Sequence, residues 1–423
     1  MKIILTRALF IALFYNLHTV CVHAQTLDNA EQLPMPILIE KQKRLAGNPL
    51  APYAALLAKE KEYLQSKPFS RIYPEIRLMF AEFLGVPNAG PDAMTLINKK
   101  RPFYGDSTIS KEYTPVPAIE VIKEEAGKTR IVIWGEEHHL SQTRSLFEAT
   151  LAELWKLGYR YLAAEAFRAQ LRDTSMQYVD YNAGLYTHDP VYASAVNFAL
   201  RLGFKLIDYD NTEHSDTEPS LRDIRQAEYI YNRVFAKDSN AKVFVIGGRG
   251  HAAEDITSDG WQPMAYNLKK LTGVDPFTIY TPPMTERNSR EEEEPLYRFA
   301  TANNMVNEPV IFRNSATSKY IGSSVFDAYV FFPRVKLVQG RPDWLFTTLK
   351  RKAVPLTDKL QKGDSLRLVQ AFEEGQPVNT IPADQFLLIG KENKALALKQ
   401  GRYYVRVINA SGELLASDKL MVK

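Results

Sequence analysis

The sequence predicts an α/β protein in which a mainly parallel sheet is flanked by helices, with a helical N-terminal segment before it and a small C-terminal all-β sandwich after it. Hydrophobic runs of strand length alternate with helical patterns across residues 116–340. Residues 25–115 carry helical patterns interrupted by proline and glycine, and residues 355–423 carry short hydrophobic runs separated by turn residues. Repeated strand–helix alternation is typical of a parallel sheet covered by helices on both faces.

Residues 1–24 have the pattern of an export signal. Lys2 and Arg7 form a positive end, Ala8–Phe14 an apolar centre, and Val22-His23-Ala24 a small-residue cleavage site. The apolar run is too short for a good membrane span. We therefore expect an exported protein, periplasmic or secreted, whose mature chain has no stable transmembrane span.

Removal of this signal changes the chemistry that the chain can offer. The one cysteine, Cys21, is lost with it, so a thiol nucleophile, a disulfide and a thiolate metal ligand are excluded in the mature chain. The net charge falls from +4 to +2 with the loss of Lys2 and Arg7, which gives no electrostatic reason to expect nucleic-acid binding. Five histidines remain: His138, His139, His188, His214 and His251.

The elements follow from hydrophobic periodicity. In the N-terminal segment, Ala54–Ala58 and Ile76–Leu84 are predicted to be helical, and Gly85 stops the second helix. The predicted strands of the α/β domain are Arg130–Trp134, Tyr159–Ala164, Phe204–Ile207, Lys242–Ile246 and Phe277–Tyr280, and the runs Pro309–Phe312 and Val325–Phe332 are expected to extend their sheet. The predicted helices between them are Leu140–Leu157, Val191–Leu202, Leu221–Ala236 and Tyr266–Leu271. The predicted sandwich strands are Leu366–Val369, Gln385–Ile389, Tyr403–Val407 and Leu414–Ala416.

Polar side chains follow the predicted strands at the point where each ends. The first strand runs into Gly135–His139, the second into Glu165, the third into Asp208 and Asp210, and the fourth into Gly248–His251. Ligands of parallel sheets bind in the crevice beyond the carboxyl ends of the strands. The loops after the second and third strands contain His188 and His214, so all five remaining histidines map to this edge. This distribution is the strongest functional signal in the sequence.

Several of these residues also have simpler explanations. Only one of His138 and His139 is expected to face the crevice, and Asp208 or Asp210 is as easily the start of a turn. Gly135 and Gly248 are predicted to leave room for a turn or for a ligand close to the backbone.

Residues further from the strand ends are weighed in the same way. His188 and His214 lie in polar loops, and we expect them at the surface. Arg222 and Arg225 lie on one predicted helix, where salt-bridged surface positions are the simpler interpretation and a clamp on an anionic substrate group is the alternative. His251 is predicted to begin a helix, and the i, i+3 spacing would place Glu254 on the same side of that helix as His251.

Imidazole and carboxylate together bind divalent metals or move protons near neutral pH. Other mechanisms lack their motifs, because the chain has no G-x-S-x-G elbow, no phosphate loop and no H-E-x-x-H helix. A glutamate–histidine centre is therefore the chemistry that the sequence favours.

At this point the residues show a family resemblance. Gly135–His138, Glu165 and Gly248–His251, with Trp261–Met264 and Leu271–Pro276 after them, resemble the superfamily of Tiki proteases, TraB/PrgY proteins, erythromycin-esterase-like enzymes and ChaN-like haem-binding proteins. The likeness covers about residues 129 to 280. The Tiki pattern is a pair of G-x-x-H motifs, matched at Gly135/His138 and Gly248/His251. The erythromycin-esterase spacing, G-E-x-x-H, selects His139 instead.

The resemblance implies a hydrolytic centre that is metal-dependent in the Tiki branch. We expect an exported hydrolase of an ester or amide bond in a small molecule or a peptide, and the alternatives are a haem- or ligand-binding module without turnover and an interaction protein that acts through the sandwich. The expected catalytic residues are Glu136, His138, His139, Glu165 and His251, and the expected ligands of a divalent metal are Glu136, His138 and His251. The expected substrate-binding residues are Gly135, Gly248, Asp208, Asp210 and Arg225.

Overall fold

The structure is a computed structural model of the chain. It describes residues 33–36, 47–86, 109–165, 167–172, 176–210, 219–257, 260–287, 289–363 and 365–423. The predicted export signal and His214 lie outside these residues. Within them, no helix combines the length and the apolar character needed to cross a membrane.

Sixteen strands and eleven α-helices are named below in chain order. The strands are β1 (Tyr113–Pro117), β2 (Ile131–Glu136), β3 (Tyr161–Ala164), β4 (Lys205–Asp208), β5 (Val243–Gly248), β6 (Phe277–Tyr280), β7 (Val310–Asn314), β8 (Ala328–Tyr329), β9 (Leu337–Val338), β10 (Arg341–Pro342), β11 (Lys352–Pro355), β12 (Arg367–Glu373), β13 (Asp384–Leu388), β14 (Ala395–Leu398), β15 (Gly401–Ile408) and β16 (Leu414–Val422). The helices are α1 (Leu50–Ala58), α2 (Glu60–Gln65), α3 (Tyr73–Phe83), α4 (Ala118–Lys128), α5 (Ser141–Lys156), α6 (Pro190–Leu202), α7 (Pro219–Ile230), α8 (Met264–Thr272), α9 (Pro295–Ala302), α10 (Trp344–Thr347) and α11 (Asp358–Gln361).

A six-stranded parallel sheet forms the centre of the molecule. Its strand order is β4-β3-β5-β2-β6-β8, and every neighbouring pair is parallel. Both β2 and β5 are buried along their whole length, which explains why their sequences are continuously hydrophobic up to the last residues. The predicted fold class, a mainly parallel sheet flanked by helices, is confirmed.

Successive residues of a strand point to opposite faces of the sheet, and each face has its own core. On one face Val132 and Phe244 pack in a cluster that also takes side chains from α4, α5 and α6. On the other face Ile133 and Val245 pack with side chains from α7, α8 and α9. The helices therefore cover both faces and leave the carboxyl edge of the strands to the connecting loops.

Of the two hydrophobic runs expected to extend this sheet, Val325–Phe332 does so and Pro309–Phe312 does not. β8, within the run Val325–Phe332, joins the edge next to β6, as predicted. The other run forms β7, which instead pairs antiparallel with β1 in a separate two-stranded sheet. The first three residues of β1 fall in the predicted helical segment, 25–115, and the hydrophobic pattern of β7 does not indicate which strand it pairs with.

The C-terminal part is antiparallel, as predicted. A four-stranded sheet has the order β13-β12-β15-β16, and β11 pairs with β14 in a second sheet. Val369 and Val405 of the first sheet share a core with Leu396 and Leu398 of the second. The two sheets thus pack face to face.

The N-terminal helices pack on the opposite face of that C-terminal sheet. Leu368, Leu387 and Ile408 lie in one core with buried residues of α1, α2 and α3. The Gln385 side chain donates to the Phe83 carbonyl at 2.6 Å, and the Leu387 backbone N–H donates to the Leu84 carbonyl at 2.9 Å. The first and last described parts of the chain therefore share a hydrophobic core, which we call the shared core.

Candidate active site

Three strands of the sheet end side by side and carry the candidate residues. Glu136, the last residue of β2, stands in register with Gly248, the last residue of β5. Glu165 follows β3 directly, and its backbone N–H donates to the Ile246 carbonyl at 3.0 Å. Because β3, β5 and β2 are neighbours, these ends bring residues distant in sequence into one edge of the sheet.

His138 lies between two carboxylates. Its Nδ1 is 3.1 Å from Glu136 Oε1, and its Nε2 is 3.9 Å from Glu165 Oε2. The Tyr186 ring stacks on the imidazole with a centroid separation of 3.7 Å and an interplanar angle of 10°. The side chain is 24 % exposed. One ring nitrogen is held by Glu136, while the other faces Glu165 across a gap of 3.9 Å.

Glu136 is held in turn by a buried arginine. Arg144 of α5 donates to both carboxylate oxygens of Glu136, from Nε at 3.1 Å and from Nη2 at 2.9 Å. It also donates to the His138 carbonyl at 2.9 Å and to Asp189 at 2.8 Å. Burial raises the pKa of Glu136, but the charge of Arg144 and the hydrogen bond from His138 outweigh burial and leave that pKa below its ordinary value. Glu136 is therefore ionised.

Glu165 is the carboxylate at the centre of the edge. It accepts from the Gly248 backbone N–H at 2.6 Å and from Arg222 at 3.0 Å, and His251 Nε2 lies 3.6 Å away. Burial raises the pKa of Glu165, but His251, Arg222 and His138 together hold it well below the usual range. Glu165 therefore carries a negative charge between the two histidines.

His251 is oriented by an aspartate that the sequence did not single out. Its Nδ1 lies 2.7 Å from Asp223, which also accepts from the indole N–H of Trp261 at 3.0 Å. Its Nε2 lies 3.0 Å from Nη1 of Arg222, which can donate to the neutral ring. Burial lowers the pKa of His251, but Asp223 and Glu165 outweigh burial and raise it above its ordinary value. His251 is thus poised to gain and lose a proton.

The predicted helix at His251 is not formed. Residues 251–256 form turns, and the helix α8 begins only at Met264. Glu254 therefore does not share a helix face with His251, and it accepts instead from the Thr278 hydroxyl at 2.5 Å. Burial and the neighbouring Asp327 raise the pKa of Glu254 to about 7. Glu254 belongs to a separate acidic pair outside the edge occupied by Glu165.

The two predicted aspartates, Asp208 and Asp210, pair with different arginines. Asp210 receives a bidentate interaction from Arg222, at 2.8 and 2.6 Å, and so belongs to the cluster. Asp208 pairs with Arg233 at 3.2 Å, on the α7 side of the sheet. The prediction chose Arg225 on α7, whereas the arginine that contacts Glu165, Asp210 and His251 is Arg222.

The adjacent histidines have different environments. His139 is buried, and its Nε2 lies 3.8 Å from Glu137 rather than near Glu165. Arg249 and Arg287 donate to Glu137 at 3.0 and 3.2 Å. Burial raises the pKa of Glu137, but these cations and His139 lower it to about 2, whereas burial lowers the pKa of His139 to about 4. His138, not His139, is therefore the member of the pair that faces Glu165 and His251.

The expectation that His188 lies at the surface is wrong. His188 is buried in the loop before α6, and its Nε2 lies 2.9 Å from the Tyr181 carbonyl. Its ring contacts Phe83 of α3 edge-on. A polar-looking loop was thus covered by the N-terminal helices, which sequence periodicity in the loop itself does not reveal.

The two predicted glycines differ in what surrounds them. A Cβ atom at Gly248 would lie 3.1 Å from both Glu165 Oε2 and His138 Nε2. Gly248 therefore keeps open the space between these two side chains. A Cβ atom at Gly135 would instead meet Ala252 and Tyr280, at 3.1 and 3.2 Å, so Gly135 serves packing between β2 and its neighbours.

The predicted metal ligands do not fit a divalent cation. Both oxygens of Glu136 are occupied by Arg144, and the guanidinium of Arg222 lies among Glu165, Asp210 and His251, where a cation would have to sit. Two arginines would repel a metal from these donors. Across the described parts of the chain, no group of three or more His, Cys, Asp or Glu has the arrangement of a metal site. The haem alternative stays a prediction.

A cleft lies on the far side of Arg144, where the N-terminal helices meet the other two parts. It is partly open to solvent, and its walls include Glu82, Ser141, Asp189, Arg341 and Asp384. Burial raises the pKa of Glu82 to about 8, and Asp189 contributes to the shift. Asp189 therefore lines the cleft and also accepts a hydrogen bond from Arg144.

Comparison with known proteins identifies no family. No family model matches the chain, and the comparison with curated proteins found no match. The solved structures that resemble it include that of the type III effector HopBA1, at 14 % identity over 56 % of this chain and 97 % of that one, with a TM-score of 0.31. Another, described as "Bacterial protein toxins", is 11 % identical over 51 % of this chain and 46 % of that one, with a TM-score of 0.29. At TM-scores this low, neither likeness carries an inference.

Proposed function

We propose that this protein is an exported hydrolase of ester or amide bonds, in which His138 activates a water molecule without a metal ion. The observation that carries the proposal is the gap between His138 Nε2 and Glu165 Oε2, which are 3.9 Å apart beside Gly248. A water molecule placed there reaches both atoms at hydrogen-bond distance. Glu165 would orient this water, and His138 would take its proton as general base.

The support behind His138 fits that role. Glu136 accepts the Nδ1 proton of His138, which leaves Nε2 as the basic nitrogen that faces the gap. Glu136 also stabilises the imidazolium that forms when the proton arrives. The stacked Tyr186 ring limits rotation of the imidazole.

The second half of the reaction falls to Arg222 and His251. As water attacks the carbonyl carbon, negative charge develops on the carbonyl oxygen, and the guanidinium of Arg222 is the nearby cation that would stabilise it. The bond from the carbonyl carbon to the leaving oxygen or nitrogen then breaks. His251 can carry a proton on Nε2 once Nη1 of Arg222 has turned from that nitrogen to the carbonyl oxygen, and it then donates this proton to the leaving atom. The proton held by His138 returns His251 to its starting state through solvent, so that one water molecule is consumed for each bond cleaved.

The proposal is tested by hydrolysis of a panel of p-nitrophenyl esters and peptide amides by the purified mature chain. We expect turnover that a chelator does not reduce, and a loss of about 10² to 10⁴-fold in kcat for His138→Ala. His139→Gln serves as the matched control, because this residue is adjacent in sequence but faces Glu137. Turnover abolished by a chelator and restored by a divalent metal would refute the metal-free mechanism, and inactivity on the whole panel would refute the hydrolase.

A further inference from the structure

Arg144 joins the two buried carboxylates Glu136 and Asp189 into one group, which we call the Arg144 cluster. Its Nε and Nη2 bond Glu136, and its Nη1 bonds Asp189 Oδ2 at 2.8 Å. The three side chains are each at most 2 % exposed. A buried group of this kind is only weakly screened by water, so its net charge acts strongly on its neighbours.

The net charge of the Arg144 cluster depends on Asp189. Glu136 and Arg144 alone would form a neutral pair, and their bidentate contact would cancel most of the field that Glu136 exerts on His138. Asp189 adds a second negative charge, so the cluster as a whole carries −1. Ser141 donates its hydroxyl to Asp189 at 2.9 Å, and Tyr192 lies under the Arg144 guanidinium at 4.8 Å, and neither brings a compensating charge.

We propose that Asp189 is a positioning residue of the active site. By pairing with Arg144, Asp189 offsets the positive charge of the guanidinium, so that the negative charge of Glu136 still acts on His138. This inference rests on the proposed function, because it concerns the imidazolium that forms when His138 takes the proton of water. With Asp189, that cation forms beside a group of charge −1. Without Asp189, it would form beside a neutral pair.

The other charged groups around His138 do not duplicate this effect. Glu165 faces Nε2 from the end of β3. Its negative charge also interacts with Arg222 of α7 and with His251 of the loop after β5. Tyr186 faces the ring from the loop before α6 and is uncharged at neutral pH, because burial raises the pKa of its phenol well above the ordinary value. The Arg144 cluster is therefore the source of negative charge on the Nδ1 side of His138.

Asp189 also has a purely structural task, which the choice of variant must hold constant. Its Oδ1 accepts from the Val191 backbone N–H at 2.9 Å and so caps α6. Asparagine caps helices about as well as aspartate, so Asp189→Asn removes the charge and keeps the cap. Asp189→Glu keeps the charge and disturbs the cap. A role in charge and a role in folding therefore predict opposite orders for the two variants.

The test compares both variants with wild type on whichever ester or amide the mature protein hydrolyses. We expect Asp189→Asn to lower kcat by about tenfold to a hundredfold with little change in KM, because the effect arises in the transition state. Asp189→Glu should retain more kcat than Asp189→Asn. Asp384→Asn is the control, since Asp384 is equally buried and pairs with buried Arg341 at 2.8 Å, and it should leave kcat unchanged. Wild-type kcat in Asp189→Asn, or an equal loss in both Asp189 variants, would overturn the inference.

A second measurement separates this inference from the proposed function. In ¹⁵N-histidine-labelled protein, the Nδ1–H signal of His138 reports its hydrogen bond to Glu136 without any substrate. We expect this signal to move upfield in Asp189→Asn and to stay in place in Asp384→Asn. An unmoved signal in Asp189→Asn contradicts the role of Asp189, whatever the protein hydrolyses. Failure to hydrolyse any ester or amide, with the signal still moved, contradicts only the proposed reaction.

Discussion

At the scale of single residues, two neighbours in sequence have opposite surroundings. His138 keeps one ring nitrogen facing the gap beside Glu165, whereas His139 is buried against Glu137, and its Nε2 has no hydrogen-bond partner among the described residues. The chain turns directly after β2, so consecutive side chains leave the strand in different directions. Identical residue types at adjacent positions therefore predict different phenotypes.

We expect His138→Gln to lose activity with little loss of stability. We expect His139→Gln to lose stability with little loss of activity. His138 is partly exposed, so its replacement disturbs little packing, whereas His139 is 7 % exposed and its replacement should cost about 1 to 2 kcal/mol. Thermal unfolding followed by circular dichroism, together with the hydrolysis panel, measures both effects. Equal activity losses in the two variants would contradict the assignment of His138 as the base.

Gly248 gives a second prediction at this scale. Gly248→Ala places a methyl group 3.1 Å from both His138 Nε2 and Glu165 Oε2, so we expect it to fill the position of the attacking water and to reduce kcat by at least about tenfold. Gly127→Ala in α4 is the control, because a Cβ atom there has no neighbour within 4 Å and alanine favours a helix. It should keep full activity and unfold at the same or a higher temperature. Full activity in Gly248→Ala would show that the gap is not used.

Some site residues were predictable and others were not. Strand-end positions identified Glu136, His138, Glu165 and His251, because the carboxyl edge of a parallel sheet follows from the alternation of elements. Arg144 was read as part of a helix, and no periodic pattern distinguishes a buried arginine from an exposed one. Asp189 stands before a proline at a helix start, which indicates a cap rather than an ion pair. These partners depend on tertiary packing.

At the scale of elements, α7 supplies two adjacent side chains to the site. Arg222 reaches Glu165 and Asp210, while Asp223 reaches the loop after β5 and bonds His251, Trp261 and the Met264 backbone N–H. One helix therefore fixes both the cation at the centre and the orientation of His251. The predicted helix, Leu221–Ala236, overlaps α7, which spans Pro219–Ile230. Of its two arginines the prediction selected Arg225 for substrate binding, whereas Arg222 contacts the site.

We expect Asp223→Ala to destabilise the protein by about 2 to 4 kcal/mol, because three donors, one buried and two partly buried, lose their acceptor at once. Activity should fall as well, since His251 is no longer held. Urea unfolding measures the loss, and Glu228→Ala on the exposed face of the same helix should change the free energy of unfolding by less than about 0.5 kcal/mol. Similar losses in the two variants would mean that Asp223 does not organise the loop.

At the scale of the whole molecule, the cleft between the N-terminal helices and the rest of the chain predicts a pH effect. The pKa of Glu82 rises from 4.5 to about 8 on folding. Above pH 4.5 the unfolded chain releases this proton while the folded protein keeps it, so stability falls as the pH rises from about 4.5 to 8 and is constant above that range. The contribution is fully favourable only below pH 4.5.

Glu82→Gln should remove the fall in stability between about pH 4.5 and 8, because glutamine does not ionise. Because Glu82 is only partly buried, we expect the variant to be more stable than wild type by about 1 to 2 kcal/mol at pH 9 and equal to it at pH 4. Urea unfolding at the two pH values measures the difference. A constant difference at both pH values would contradict the raised pKa of Glu82.

The shared core gives a prediction for the C-terminal sheet. Leu387→Ala removes a buried side chain from the contact between β13 and the N-terminal helices, so we expect a cost of about 2 to 4 kcal/mol and a single unfolding transition. Leu414→Ala, at an exposed position of β16, should cost little. Separate transitions for the N-terminal helices and the C-terminal sheet would show that the two parts fold independently. Sequence analysis divided these parts because hydrophobic patterns identify elements but not which of them pack together.

The shared core also bears on the order in which the chain matures during synthesis. Ribosomes release α1–α3 long before β12, β13 and β15 exist, so the apolar faces of these helices have no surface to cover them until almost all the protein has been made. The export that we propose for this chain would benefit from such a delay, because a chain that has not folded can still be threaded through a membrane channel.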